Sequence, residues 1–159
     1  MPWFGWLFGR GRQVAWETIV AHLDQAVASE ADHVVHGTLH GVAMRLRYDR
    51  ASRTTSIEAT RPIDDRFSLR IVPMDGSREF ASAFAVRASP LDLPRIVLDD
   101  EVRTRLLVIE PRPTVHLEAG QLRLEVGELV DASSAIAGLE VVARLARALE
   151  ERGAMCARP

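Results

Sequence analysis

Apolar and polar positions follow two different periods along this chain. Near its start, Trp16, Ile19, Val20, Leu23 and Val27 recur at helical spacing, with Glu17, His22, Asp24 and Gln25 between them. One face is apolar and the other polar, which predicts a helix over about 14–29, although no Ser, Thr, Asp or Asn caps its start. The middle of the chain switches to period two. Val42, Met44, Leu46 and Tyr48 alternate with Ala43, Arg45, Arg47 and Asp49, as in a half-buried strand. Residues 49–53 supply a turn, and Thr55, Ile57 and Ala59 resume the alternation, predicting a hairpin. Phe67, Leu69 and Ile71 repeat it before the turn at 73–76, and Phe84 and Val86 mark a short strand ending near Pro90. The segment from His33 to His40 leads into the first hairpin strand, with Gly37 and Gly41 marking a bend or bulge.

Helical spacing then returns. Asp99 or Asp100 can cap a helix whose Val102, Leu106 and Ile109 share a face until Pro111 stops it. Val115 and Leu117, then Leu122, Leu124 and Val126, flank a short turn at Ala119-Gly120. Asp131 or Ser133 can cap a last helix with the stripe Ile136, Leu139, Val142, Ala143, Ala146 and Leu149. Glu140 and Arg144 stand as an i,i+4 pair on it, and Gly153 is placed for a C-cap. The predicted order is α-β(3–4)-α-β(2)-α: an α+β domain with an antiparallel sheet and its helices on one face. It occupies 13–153, with an apolar N-terminal attachment segment at 1–12 and a C-terminal tail at 154–159.

Composition agrees with a single folded domain. The chain has 159 residues, 47% of them hydrophobic and 26% charged, and a chain of this size buries about two-thirds of its unfolded surface. Its net charge is −2 with the two signs interspersed, which argues against a nucleic-acid partner. All 20 basic residues are Arg. The absence of Lys excludes a Walker-type phosphate loop and Schiff-base chemistry. The one cysteine, Cys156, has no partner for a disulfide or a thiolate metal site, and a reducing cytoplasm fits it best. No run reaches the roughly 18–20 apolar residues of a membrane span. The opening segment carries its charges after the apolar run, unlike a signal peptide.

Several short stretches resemble uncharacterised bacterial α+β domains: Gly37-Thr-Leu-His-Gly41, the strand Phe80-Ala-Ser-Ala-Phe84-Ala-Val86, and Leu98-Asp-Asp-Glu-Val-Arg103 before Leu106-Leu107. The likeness covers about 31–150. In those domains a Gly-flanked first strand precedes a Phe-Asp-x-x-Phe-x-Val strand and a Leu-rich helix. Ala81 stands where they carry Asp. The resemblance implies an α+β fold and brings no activity with it. The element order is also similar to the secretion-chaperone-like fold, which implies a small, non-enzymatic, often dimeric module, by analogy of topology alone.

Three groups of residues are candidates for chemistry. His33, His36 and His40, beside Asp32, form the one dense cluster of metal-ligand types. On an extended chain His36 and His40 share a face and His33 points away, so a zinc site needs a further ligand such as His116. The carboxylates Asp64-Asp65 and Asp99-Asp100-Glu101 fall at a loop and a helix start, where structural roles account for them. Arg45, Arg47, Arg70 and Arg87 alternate on strands and should line the solvent face, pairing with acids such as Glu58. Trp3, Phe4, Trp6, Leu7 and Phe8 are the group that most suggests a function. Five large apolar side chains outside any repeating period are costly to leave in water, so they pack on the domain, dock into a protein partner or make weak contact with a membrane surface.

With no catalytic motif and no cofactor motif, the expected function is a non-enzymatic protein-binding or assembly module, chaperone-like and cytoplasmic, acting through a protein partner or self-association. The alternatives are a small metal-dependent hydrolase using His33, His36 and His40, or a peripheral membrane protein attached through 1–12.

Overall fold

The computed structural model describes residues 13–29, 32–76, 78–128 and 131–157. The attachment segment 1–12 lies outside them. Helix α1 (Gln13–His22) ends as Leu23 turns into the core, 6% exposed, and Gln25 adopts a positive φ of 52°. The expected helix over 14–29 is therefore too long, because Asp24–Ser29 is a strand, β1. Val27 falls on helical spacing, yet it is 66% exposed. What decides the segment is pairing, because β1 gains an antiparallel ladder with β2 (Val34–Leu39). Gly37 on β2 makes room for this entry: a Cβ there would lie 2.8 Å from the Cβ of Leu23. The bulge expected near Gly37 sits instead in β1, between Asp24 and Val27, while β2 pairs without interruption with β3.

β3 (Val42–Asp49) and β4 (Thr54–Ala59) form the predicted hairpin. The β2–β3 turn places His40 and Gly41 at φ 51° and 80°, both positive, as a two-residue type I′ turn requires. Then come β5 (Ser68–Pro73), the single helical turn α2 (Phe80–Ala83) and β6 (Phe84–Ser89). Phe80–Val86, read as one strand, thus starts as a helical turn. Its Ala83 reaches the core and its Phe80 ring lies 5.2 Å from that of Phe84. α3 (Leu93–Val97) is a further short helix that the period analysis missed. α4 (Asp100–Val108) is capped by Asp99, which accepts from the Val102 N–H at 2.8 Å. β7 (Thr114–Glu118) and β8 (Gln121–Val126) form the second predicted hairpin. α5 (Ala132–Cys156) is capped by Asp131, which accepts from the Ser134 N–H at 2.8 Å. It runs through Gly153 to Cys156 rather than stopping at the glycine.

The eight strands among the described residues join one antiparallel sheet in the order β1-β2-β3-β4-β8-β7-β5-β6. The fold is α+β with one antiparallel sheet, as the alternation of periods predicts, and the β4–β8 pairing joins the earlier strands to the second hairpin. α5 crosses the middle of the sheet, packing on β2, β3, β4 and β8, with α1, α3 and α4 beside it. Met44, Leu46, Ile57, Leu69, Ile71, Leu117, Leu122 and Leu124 face this layer, each at most 2% exposed. The helix comes close to the sheet at Gly138, where a Cβ would stand 2.9 Å from Cδ1 of Ile57. The alternate residues of the same strands point to the opposite face and stay half to fully exposed over most of it.

Candidate functional site

The uncovered face of the sheet carries one continuous cross-strand row. Strand register places Val27 opposite His36, His36 opposite Arg45, Arg45 opposite Glu58 and Glu58 opposite Arg123. Arg123 then faces His116, His116 faces Arg70 and Arg70 faces Arg87. Every strand contributes one residue. The row follows from period two alone, since each residue alternates with a core neighbour such as Leu46, Ile57, Leu124, Leu117 or Leu69. It holds four arginines, two histidines and one glutamate.

Its two halves differ in charge pairing. On β3, β4 and β8, Glu58 is bracketed by two guanidinium groups. Arg45 donates to Oε2 through both Nε, at 3.1 Å, and Nη2, while Nη2 of Arg123 lies 2.7 Å from Oε1. Arg123 also reaches Glu125 at 3.3 Å. The expected pairing of strand arginines with Glu58 is met here. On β7, β5 and β6 it is not: among the described residues, no carboxylate lies within ion-pair distance of Arg70, Arg87 or His116. These three line a depression of about 560 Å³, together with Ser68, Ser89 and Glu118. Arg47, in the next row beside Ser56 and Val34, likewise has no carboxylate within that distance.

The three candidate histidines go to different places. His36 is exposed on the open face. His33 precedes β2 with φ 52°, its Nδ1 buried without a hydrogen-bond partner, and it lines with His36 and Asp32 a depression of about 620 Å³. His40 occupies the β2–β3 turn and reaches to the helix layer, where its Nε2 donates to Oε2 of Glu140 at 2.8 Å. The structure thus brings His33 and His36 together and separates His40 from them. Among the described residues no group of three or more His, Cys, Asp or Glu is arranged to hold a metal ion.

Glu140 was the residue hardest to place from sequence. It is 7% exposed, and Nε2 of His22 donates to its second oxygen at 3.1 Å. Burial pushes its carboxyl up, but the hydrogen bonds from His40 and His22 outweigh that and hold it below its ordinary value. The expected Glu140–Arg144 pair is absent, because Arg144 pairs instead with Glu101 of α4 at 2.8 Å. Helix α5 is covered by the sheet and by α1 and α4, so a position read as outward faces a neighbour. Val141 and Val142 beside Glu140 were the available signal, since they widen the apolar stripe around it.

Trp3, Phe4, Trp6, Leu7 and Phe8 lie outside the described residues. No helix among the described residues is long and apolar enough to cross a membrane. Comparison with protein families finds no matching model, and comparison with curated proteins finds no match. Among solved structures, the chain is similar to the mycobacterial trehalose monomycolate transport factor A, TtfA, with a TM-score of 0.54 and 16% sequence identity. That likeness spans 81% of this chain and 76% of the other, and at this identity it establishes a shared fold.

Proposed function

We propose that this chain is a non-enzymatic protein-binding or assembly module that presents the open face of its sheet to a partner. The observation that carries the reading is that one face of an eight-stranded sheet is packed by helices while the other is a broad, polar, exposed surface. The fold shared with a protein described as a transport factor is compatible with a binding or assembly role. The module acts in the cytoplasm, and residues 1–12, with Trp3, Phe4, Trp6, Leu7 and Phe8, attach it to a protein partner or a membrane surface.

Site-specific photo-cross-linking in the native host tests the docking face. A cross-linker at Ser56 or Thr114, on the open face, should trap one defined protein or a second copy of this chain. The same group at Arg147 or Glu151, on the outer side of α5, should not. Cross-links from α5 alone would overturn the reading. Deletion of 1–12 tests attachment separately: folding stability should hold while partner capture, self-association or liposome binding falls. A loss of several kcal/mol of folding stability would instead place the aromatics in the core.

A further inference from the structure

We propose that Arg70, Arg87 and His116 form a docking site for an acidic helix of a protein partner, an inference that rests on reading the open face as the partner surface. Arg70 stands directly opposite Arg87 on one side and His116 on the other. Like charges directly opposite one another destabilise a sheet, and no carboxylate of the described chain relieves this pair. Glu118, two residues beyond His116 on β7, lines the same depression but lies outside ion-pair range of either arginine. At the other half of the row Glu58 fills the gap between Arg45 and Arg123. The cationic half presents the same cross-strand row with the acid left out, and the partner supplies it.

Spacing selects the form of the acid. The two arginines and the imidazole sit on adjacent strands, about 4.8 Å apart in the hydrogen-bonding direction. Side chains three or four residues apart on a helix are about 5–6 Å apart at Cβ, so a helix laid across the strands brings its carboxylates to the two guanidinium groups and the imidazole N–H in turn. Each guanidinium can take a carboxylate with two parallel N–H···O bonds, and the Ser68 and Ser89 hydroxyls flank the site as further donors. A nucleic-acid backbone is the poorer match, because only two arginines of this half lack an acid and the row beyond His116 is bridged by Glu58.

The test uses the full chain, isotope-labelled for NMR, and a capped alanine-based peptide of about 20 residues with glutamates at i, i+4 spacing. Saturable shifts confined to β5, β6 and β7 are expected, weakening as salt is raised. The double variant Arg70→Ser, Arg87→Ser should bind at least roughly tenfold more weakly. The same peptide with Gln for Glu should not bind. No binding, equal binding of the Gln peptide, or unchanged binding by the double variant would overturn the proposal. Tighter binding of inorganic phosphate or of single-stranded DNA at the same resonances would overturn it too. If cross-links form from the open face but the peptide fails, the acidic-helix site falls and partner docking stands. If the peptide binds but no cross-link forms from that face, docking falls, and the assignment of this site to a partner falls with it.

Discussion

The row across the open face is one structural feature with two electrostatic halves. On β3, β4 and β8 the order is Arg, Glu, Arg, and the central carboxylate, with its side chain only 12% exposed, accepts from both neighbours. On β7, β5 and β6 the order is His, Arg, Arg, and nothing in the described chain plays the part of Glu58. The central strands of both halves stand on buried apolar residues, Leu46, Ile57 and Leu124 beneath one and Leu69, Ile71 and Leu117 beneath the other, none above 2% exposure. Val86 and Ala88 of the edge strand β6 are only partly buried. The foundation beneath Arg70 and His116 matches that beneath Arg45, Glu58 and Arg123, so it does not explain why one trio is bridged and the other is not. Folding needs the covered face, and the open face is free to be charged in ways that serve something else.

The covered face holds the same bridging device in its most buried form, which makes it the strongest check on the energetics. Glu140 accepts one hydrogen bond from His22 and one from His40. Glu140→Ala should lower stability by about 2 kcal/mol at neutral pH in urea unfolding, less than two full charge-assisted bonds because the histidines regain water. The pH dependence has a defined sign. The folded carboxyl sits below its ordinary 4.5, so its contribution is fully present above that value and is lost as pH falls through the lowered one. The gap between wild type and Glu140→Ala should therefore close on acidification below 4.5. A gap that widened there would mean that the carboxyl is destabilised, not held, by its partners.

The open-face counterpart is Glu58. Glu58→Ala removes the bridging acid and makes this half a counterpart of the unbridged one, leaving Arg45 and Arg123 to repel across β4. The two arginines are 42% and 48% exposed and can rehydrate, so the loss should be smaller, about 1 kcal/mol. The variant should also extend the region that shifts with the acidic peptide from β5–β7 into β3 and β8. Shifts that stayed confined to β5–β7 would show that unpaired arginines alone do not make a binding surface.

Much of this was legible in the sequence. Period two in Val42–Tyr48, Thr55–Ala59 and Leu122–Val126 identified the strands and which residues point outward, so the arginines were placed on the solvent face correctly. Asp99 and Asp131 were readable as caps because a short acceptor before an apolar run has a local purpose. What could not be read is cross-strand neighbourhood. Arg70 and His116 are adjacent only because β5 pairs with β7, and Glu58 meets Arg123 only because β4 pairs with β8. Nothing local encodes either pairing. The same holds for Glu140, whose partners lie 118 and 100 residues away. β1 was missed for a related reason: its Ala-rich stretch has weak preferences, and the ladder with β2 decides it.

The smallest expected effect is the most direct test of the comparison, because it makes the two halves alike. Arg70→Glu places a carboxylate between Arg87 and His116, as Glu58 lies between Arg45 and Arg123. It removes one cross-strand repulsion and adds one opposite-charge pair, each a matter of tenths of a kcal/mol at an exposed site. Stability should rise by about 0.5–1 kcal/mol in urea unfolding at low salt. Arg70→Gln separates the contributions, since it removes the repulsion without adding the attraction, and should recover about half of the gain. Salt gives an independent sign. Screening relieves the wild-type Arg70–Arg87 contact, so raising ionic strength should narrow the stability difference between wild type and Arg70→Glu. The same variant should bind no acidic peptide. If it proved less stable than wild type at low salt, the cationic half would not be a row lacking its acid, and the parallel with Glu58 would fail.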